Sequence, residues 1–108
     1  MTEFQRDFET IILETGLTGT QFKFNMKYFK RIADRNVSEA TPNVRAYNAC
    51  KRNRINTVDE LVDRWDDINK FRGVGNLTVK EIKNGVLNLY YSTLTTEERK
   101  EFWKENLE

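Results

Sequence analysis

The sequence predicts an all-α protein built of short helices. Apolar residues recur at helical spacing along most of the 108 residues. Threonine followed three residues later by glutamine or glutamate, the pattern of a capping box, begins several of these runs. Two glycines, Gly73 and Gly75, stand directly before the longest amphipathic run, as in a tight turn that leads into a helix. The length is that of one domain with a modest hydrophobic core.

An N-terminal helical extension is predicted over residues 1–41. Its first helix begins at a capping box of Thr2 and Gln5 and ends at Gly16. Its apolar face comprises Phe4, Phe8, Ile11 and Ile12. A second helix is predicted over residues 20–34, although apolar residues also alternate there as in a strand. Lysine, methionine and alanine favour the helix, and no partner strand is evident elsewhere.

Pro42, the only proline, lies in a polar connector and marks the predicted domain boundary. A domain is predicted over residues 42–92, followed by a C-terminal helix within residues 93–108. The predicted helical segments of the domain are residues 44–53 capped by Asn43, a segment opened by the capping box of Thr57 and Glu60, residues 66–71, and residues 77–91. Thr95 and Glu98 form the capping box of the last helix, which carries Phe102 and Trp103.

The charge is nearly balanced overall, at +1, but it is unevenly spread. Residues 44–92 carry nine lysines and arginines against six acids, whereas residues 93–108 carry three against five. The densest basic stretch, Arg45 to Arg54, has four cations and no acid. Such a patch suits contact with phosphate, and it equally suits a solvated helix face.

Composition argues against an enzyme and against a metal site. The sequence has no histidine, and Cys50 is its only cysteine, so neither an internal disulfide nor a zinc site of Cys and His can form. Cys50 is expected in the core. The acidic pairs at 59–60 and 66–67 fit the starts of helices, where acids are favoured. No cofactor is expected. The absence of a signal peptide and of a long apolar stretch predicts a soluble, cytoplasmic protein.

The stretch Phe71 to Gly75 is a candidate phosphate-binding hairpin. Glycine tolerates a positive φ and lets another backbone approach closely. The helix that follows offers N–H groups without intrahelical acceptors and a partial positive charge. A plain tight turn between two helices is the alternative interpretation.

Three blocks of the sequence carry a resemblance to a known family. They are Asn43 to Lys51, Ile55 to Leu61, and Gly73-Val74-Gly75 together with Val79 to Lys83. In order and spacing these blocks resemble the C-terminal domain of the bacterial RNA polymerase alpha subunit, over roughly residues 41 to 90. Three blocks in register are much more specific than a single Gly-x-Gly pattern.

The resemblance implies a compact bundle of short helices that contains a helix-hairpin-helix unit. It also implies binding to the minor groove of A·T-rich DNA and docking to RNA polymerase or transcription regulators. Arg45 takes the place of an arginine that enters the groove, and Asn48 that of an asparagine one helical turn later. Positions three apart share a helix face, and a narrow A·T groove attracts a guanidinium. The remaining DNA-binding residues implied in this way are Lys51, Gly73, Gly75, Asn76 and Thr78.

The sequence departs from the family at the hairpin. Gly73 stands where an asparagine is usual, and Asn76 and Leu77 stand where a basic pair is usual. Each lost phosphate contact lowers the salt slope of binding by about 0.9. We expect DNA binding to be weaker than in the family and, because it relies on the remaining phosphate contacts, strongly dependent on salt.

Three functions remain open at the level of sequence. The first is a standalone DNA-binding relative of the alpha domain that acts in transcription or its regulation. The second is a protein-interaction module of the same fold that binds RNA polymerase or a regulator without binding DNA. The third is a recombination or structural factor that uses the hairpin to bind duplexes of any sequence. The N-terminal aromatic residues Phe4, Phe8, Phe22, Phe24, Tyr28 and Phe29 are expected to pack on the domain or to form a homodimer or partner surface.

Overall fold

A computed structural model describes residues 2–15 and 26–106 of the protein. The helices are α1 (Glu3–Thr15), the 3-10 helix η1 (Met26–Ile32), α2 (Val37–Ala40), α3 (Val44–Arg52), α4 (Val58–Asp63), the 3-10 helix η2 (Trp65–Lys70), α5 (Asn76–Ser92) and α6 (Thr96–Asn106). Extended pairing within the described ranges is limited to one isolated bridge between Asn36 and Thr57. The all-α prediction is confirmed.

Side-chain caps fix the starts of α1, α3, α4 and α6, as the sequence predicts. The Asn43 side chain accepts a hydrogen bond from the Ala46 N–H at 2.8 Å and begins α3. Reciprocal capping-box bonds begin the helices at Thr2, Thr57 and Thr95. Each cap satisfies an N–H group that has no acceptor within its helix, and loss of one typically costs about 1 kcal/mol.

The predicted second helix, residues 20–34, lies only partly in the described residues. There it is the 3-10 helix η1, which ends at Ile32. The Arg35 N–H donates to the Ile32 carbonyl at 3.0 Å, which continues the i to i+3 pattern. Phe29 and Ile32, three residues apart, are both buried. A 3-10 helix aligns residues at this spacing, so the segment buries one narrow apolar edge.

The protein forms two compact units. The bundle unit is Met26–Tyr90, and the terminal unit joins residues 2–15 with residues 91–106 among those described. The core of the bundle unit is apolar, and its most buried members include Ile32, Val37, Ala46, Ala49, Cys50, Ile55, Val58, Leu61, Ile68, Ile82 and Val86. The division differs from the boundary after residue 41 that the sequence suggests, because residues 26–41 pack with the helices that follow them.

Backbone hydrogen bonds explain why this segment lies in the bundle unit. The Val37 N–H donates to the Asn56 carbonyl at 2.9 Å, and the Val58 N–H donates to the Arg35 carbonyl at 2.9 Å. The side chain of Phe29 packs against Trp65 with ring centroids 5.3 Å apart. The polar connector around Pro42 is therefore a turn inside the unit.

Gly85 allows α2 and α5 to approach closely. A Cβ atom built on Gly85 would lie 1.8 Å from the Ala40 carbonyl oxygen and 3.3 Å from Cδ of Pro42. Any side chain at this position would push the two helices apart. The close approach places α5 against Ala40 and Pro42, in the segment that leads into α3.

The terminal unit is held by aromatic side chains. Phe4 lies against Trp103 and Tyr91, with ring centroids 5.3 and 5.4 Å away. The indole Nε1 of Trp103 donates to the Tyr91 hydroxyl oxygen at 2.9 Å, and that hydroxyl donates to the Asp7 carboxylate. Burial, reinforced by Asp7, raises the pKa of Tyr91 to about 12.

Several of the N-terminal aromatic residues, which were expected to pack on the domain or to form an interface, pack against aromatic residues of their own unit. Phe4 and Phe8 pack in the terminal unit, and Tyr28 stacks on Tyr90 in the bundle unit at 5.5 Å. Phe22 and Phe24 lie outside the described residues.

Candidate nucleic-acid interface

Helix α3 presents the predicted groove-binding residues on its exposed face. Ala46, Ala49 and Cys50 are fully buried and fix the inward face of the helix. Arg45 and Asn48 are exposed on the other side. The predicted core position of Cys50 is confirmed, and burial raises the pKa of its thiol to about 11. The two residues predicted to enter a groove therefore share a solvent-facing surface.

Glu81 of α5 holds Arg45 in place. The Arg45 Nη2 lies 2.7 Å from Oε1 of Glu81, and the Asn43 amide donates to the other carboxylate oxygen. The hydrogen bond from Arg45 is the main cause that lowers the pKa of Glu81. The Arg45 side chain remains 59% exposed, whereas that of Glu81 is 19% exposed. The guanidinium is thus oriented by a carboxylate and still open to solvent.

Sequence reasoning missed the role of Glu81. Its partners Asn43 and Arg45 stand 38 and 36 residues earlier, so no helical spacing connects them. Glu81 falls within the third block of the family resemblance, and that was the only signal that pointed to this position.

Lys51 lies at the C-terminal end of the same helix. It is exposed, and its ammonium donates to the side-chain oxygen of Asn56 in the following loop. This contact orients the lysine along the loop without neutralising its charge.

The hairpin between η2 and α5 has the turn that its glycines predict. Phe71 is buried and anchors it, and the Val74 N–H donates to the Phe71 carbonyl at 3.3 Å. Gly73 has a φ of +73°, in the region that favours glycine. A Cβ on Gly75 would meet no atom within 4 Å, so this part of the hairpin faces open space.

The start of α5 offers backbone N–H groups at this open face. The Val79 N–H donates to the Gly75 carbonyl at 3.1 Å, so the N–H groups of the three residues before Val79 have no acceptor in the helix. Asn76 is exposed, and Leu77 is 62% exposed. Thr78 is 6% exposed, so its side chain lies against the protein. The arrangement can hold an anion through backbone groups.

Asn53 links the end of α3 to the hairpin. Its side-chain amide donates to the Ala49 carbonyl at 2.8 Å, and its Oδ1 accepts from the Arg72 N–H at 3.4 Å. Nearby, Arg52 Nη2 donates to the Gly73 carbonyl at 3.4 Å. These hydrogen bonds tie α3 to the hairpin. All seven predicted DNA-binding residues lie in the bundle unit.

The model of a family described as the C-terminal domain of the bacterial RNA polymerase alpha subunit matches residues 28–87. The protein belongs to this family. It is also similar to the DNA-directed RNA polymerase subunit alpha of Moorella thermoacetica, with 36% identity over 69 residues. That alignment covers 63% of this protein and 22% of the relative, so the match spans about a fifth of the relative's length. No solved structure matches the protein significantly.

The family match confirms the resemblance and coincides with the bundle unit. Residues 28–87 fall inside Met26–Tyr90 and include every predicted DNA-binding residue. Helices α1 and α6 lie outside the match. Membership of the alpha C-terminal domain family gives the protein a transcription-related role.

Neither a metal site nor a membrane span is found among the described residues. Within residues 2–15 and 26–106, no three or more His, Cys, Asp and Glu side chains are grouped so that they would hold a metal ion. None of the helices in those ranges is long and apolar enough to span a membrane.

Proposed function

We propose that the bundle unit binds duplex DNA in transcription or its regulation, with Arg45 in an A·T-rich minor groove and a phosphate at the start of α5. One observation carries the proposal. The exposed face of Arg45 and Asn48 and the open backbone at Gly75 belong to one unit, and Asn53 ties the two elements that carry them. The protein would act by binding, with no catalytic activity of its own.

The proposed contacts divide into two physical roles. Arg45 and Asn48 would read groove shape and base edges, because A·T tracts narrow the minor groove and concentrate negative potential there. Gly75 and the N–H groups of Asn76 and Thr78 would hold a backbone phosphate, which positions the protein without reading sequence. The buried position of Thr78 favours its backbone N–H over its hydroxyl in this role. Lys51 and Gly73 would flank these contacts.

The affinity would be modest. Asn76 and Leu77 bring no charge to the start of α5, so phosphate binding there relies on backbone dipoles. Few cations would displace counterions, so each one should be visible in the salt dependence of binding. A role in bacterial transcription would place the protein in the cytoplasm.

The test is a titration of an A·T-rich and a G·C-rich duplex of equal length at two low salt concentrations, with Arg45→Ala as the variant. We expect tighter binding to the A·T-rich duplex and loss of that preference in Arg45→Ala. Equal binding to both duplexes would instead indicate the sequence-independent factor. If neither duplex binds at the lower salt, DNA binding by this protein is refuted.

A specific observation favours a second function, a protein-interaction module of the same fold. Val44 and Leu77 are 72% and 62% exposed, and they are the exposed large apolar side chains of the described residues. They stand at the starts of α3 and α5, beside the proposed DNA site. Apolar groups are more often found in a protein interface than against phosphates. RNA polymerase or a regulator would be the partner, and self-association through N-terminal aromatic residues is a further option.

Paired variants separate the two functions. Val44→Ser and Leu77→Ser should leave duplex binding within about twofold if DNA is the ligand, since both side chains are uncharged. The same variants should weaken capture of purified RNA polymerase if the face binds protein. Sedimentation of the wild-type protein over a range of concentrations would report the homodimer.

A further inference from the structure

Three arginines gather at the hairpin without acidic partners. We call Arg52, Arg64 and Arg72 the hairpin arginine cluster. None of the three forms an ion pair with a carboxylate in the described part of the protein, whereas Arg35, Arg45 and Arg99 each do. No carboxylate of the described residues therefore neutralises their charge, and the contacts of Arg52 and Arg64 lie at Gly73 and Phe71 of the hairpin.

Asn53 organises this cluster. Its backbone carbonyl accepts from Nη1 of Arg64 at 3.0 Å, and its side chain accepts from the backbone N–H of Arg72 at 3.4 Å. The guanidinium of Arg64 also lies over the Phe71 ring, 4.5 Å from its centroid. Because Arg64 is held by both contacts, Arg52 and Arg72 are the more adaptable members.

Arg52 lies directly against the hairpin backbone. A Cβ atom on Gly73 would be 3.1 Å from Nη2 of Arg52 and 3.4 Å from its Cζ. The absence of a side chain at Gly73 thus leaves room for the guanidinium. Its one hydrogen bond to a described residue is the long one, 3.4 Å, to the Gly73 carbonyl. A guanidinium has five N–H donors, so most of them remain available to a ligand.

These contacts place a cation on the hairpin that leads into the backbone N–H groups proposed to hold a phosphate. Gly73 is two residues from Gly75, and the residues that begin α5 after it are uncharged. Arginine matches phosphate geometry because its planar fork can donate two parallel bonds. A guanidinium at the hairpin can therefore supply the charge that Asn76 and Leu77 lack.

We infer that Arg52, assisted by Arg72, forms a phosphate contact of duplex DNA at the hairpin, next to the phosphate held by the start of α5. This inference rests on the proposed function and adds a charged residue to its site. The contact would contribute affinity and salt dependence, and it would not discriminate A·T from G·C.

The experiment measures the logarithm of the binding constant against the logarithm of salt concentration for one A·T-rich duplex. Arg52→Gln should reduce the magnitude of the slope by about 0.9, the value of one phosphate contact. Arg52→Lys keeps the charge, so its slope should match the wild type. Arg72→Gln should also reduce the slope. Lys104→Gln removes one exposed cation from the terminal unit and should leave the slope unchanged.

The A·T preference provides the second readout. Arg52→Gln should weaken binding to A·T-rich and G·C-rich duplexes by the same factor, whereas Arg45→Ala should remove the preference itself. Circular dichroism should show the same thermal midpoint for Arg52→Gln as for the wild type, since the side chain is exposed.

The outcomes distinguish this inference from the proposed function. If the wild type binds and Arg45→Ala abolishes the A·T preference, but Arg52→Gln keeps the wild-type slope, the inference is wrong and the proposed function stands. An equal loss of slope in Lys104→Gln would also overturn it, because general charge would then explain the effect. If the wild type binds no duplex at low salt, both are overturned.

Discussion

The pair of Arg45 and Glu81 places a carboxylate within the proposed DNA site. A negative charge beside a phosphate-binding surface opposes binding in general, since it repels the ligand. Here it also orients Arg45, which is proposed to enter the groove, through a contact of 2.7 Å. The two effects act on different quantities, namely overall affinity and the preference for A·T sequences.

Glu81→Gln should separate these effects. The amide keeps an oxygen that can accept from Arg45 but loses the charge that holds it. We expect a severalfold loss of A·T preference, measured as the ratio of dissociation constants for A·T-rich and G·C-rich duplexes. Binding to the G·C-rich duplex at low salt should be unchanged or tighter. An unchanged ratio would show that Glu81 does not position Arg45.

The pH dependence of the same pair has a defined sign. The folded-state pKa of Glu81 is lowered from 4.5, so the carboxylate binds a proton less readily in the folded protein than in the unfolded one. The stabilisation that the ionised Glu81 carboxylate contributes is complete at pH values above its unfolded-state pKa. It is lost as the pH falls through its folded-state pKa. The difference in unfolding free energy between wild type and Glu81→Gln should therefore be constant near neutral pH, and its pH-dependent part should be lost in acid.

At the scale of elements, sequence patterns within a few residues predicted where helices begin but not the type of the short helix η1. The caps at Thr2, Asn43, Thr57 and Thr95 were predictable because cap and N–H group lie within three residues of each other. A seven-residue segment such as Met26–Ile32 is too short for sequence periodicity to separate a 3-10 helix from an α-helix.

In the candidate site, too, the local features were predictable from sequence and the tertiary contacts were not. Gly73 and Gly75 indicate a turn from sequence alone, and the positive φ of Gly73 agrees. Their connection to α3 through Asn53 depends on tertiary packing, which no spacing reveals. Gly85 likewise looks like a weak position in a helix, and only the fold shows why a glycine suits it.

Gly85→Ala should destabilise the bundle unit. In an isolated helix this change stabilises by about 1 kcal/mol. In the protein the new Cβ would lie 1.8 Å from the Ala40 carbonyl oxygen, a backbone atom that cannot move aside alone. Overpacking of this kind costs about 1–3 kcal/mol, so we expect a net loss, measured by urea denaturation.

Asn84→Ala is the matched control for this change. It lies next to Gly85 in α5 and is exposed, so only the gain in helix propensity applies. We expect the control to be neutral or slightly stabilising. Equal stability of the two variants would mean that α2 and α5 separate at little cost.

At the scale of the whole molecule, the family match and the terminal unit cover different parts of the sequence. The match covers residues 28–87, and the aromatic contacts of the terminal unit join α1 with α6. Trp65 lies in the bundle unit and Trp103 in the terminal unit, so the two tryptophans report on different units. This distribution allows the role of the terminal unit to be tested without disturbing the proposed DNA site.

Phe4→Ala should weaken the terminal unit and leave DNA binding unchanged. Phe4 contacts Tyr91, Phe102 and Trp103, and it is half-buried, so we expect a loss of about 2 kcal/mol, below the range for a fully buried phenylalanine. Trp103 fluorescence in a Trp65→Phe background would follow the unfolding of this unit. Glu9→Ala, an exposed change on α1, is the control and should shift the transition little. The affinity for an A·T-rich duplex should stay at the wild-type value, because every proposed contact lies in residues 26–90; a weaker affinity would mean that the terminal unit takes part in binding.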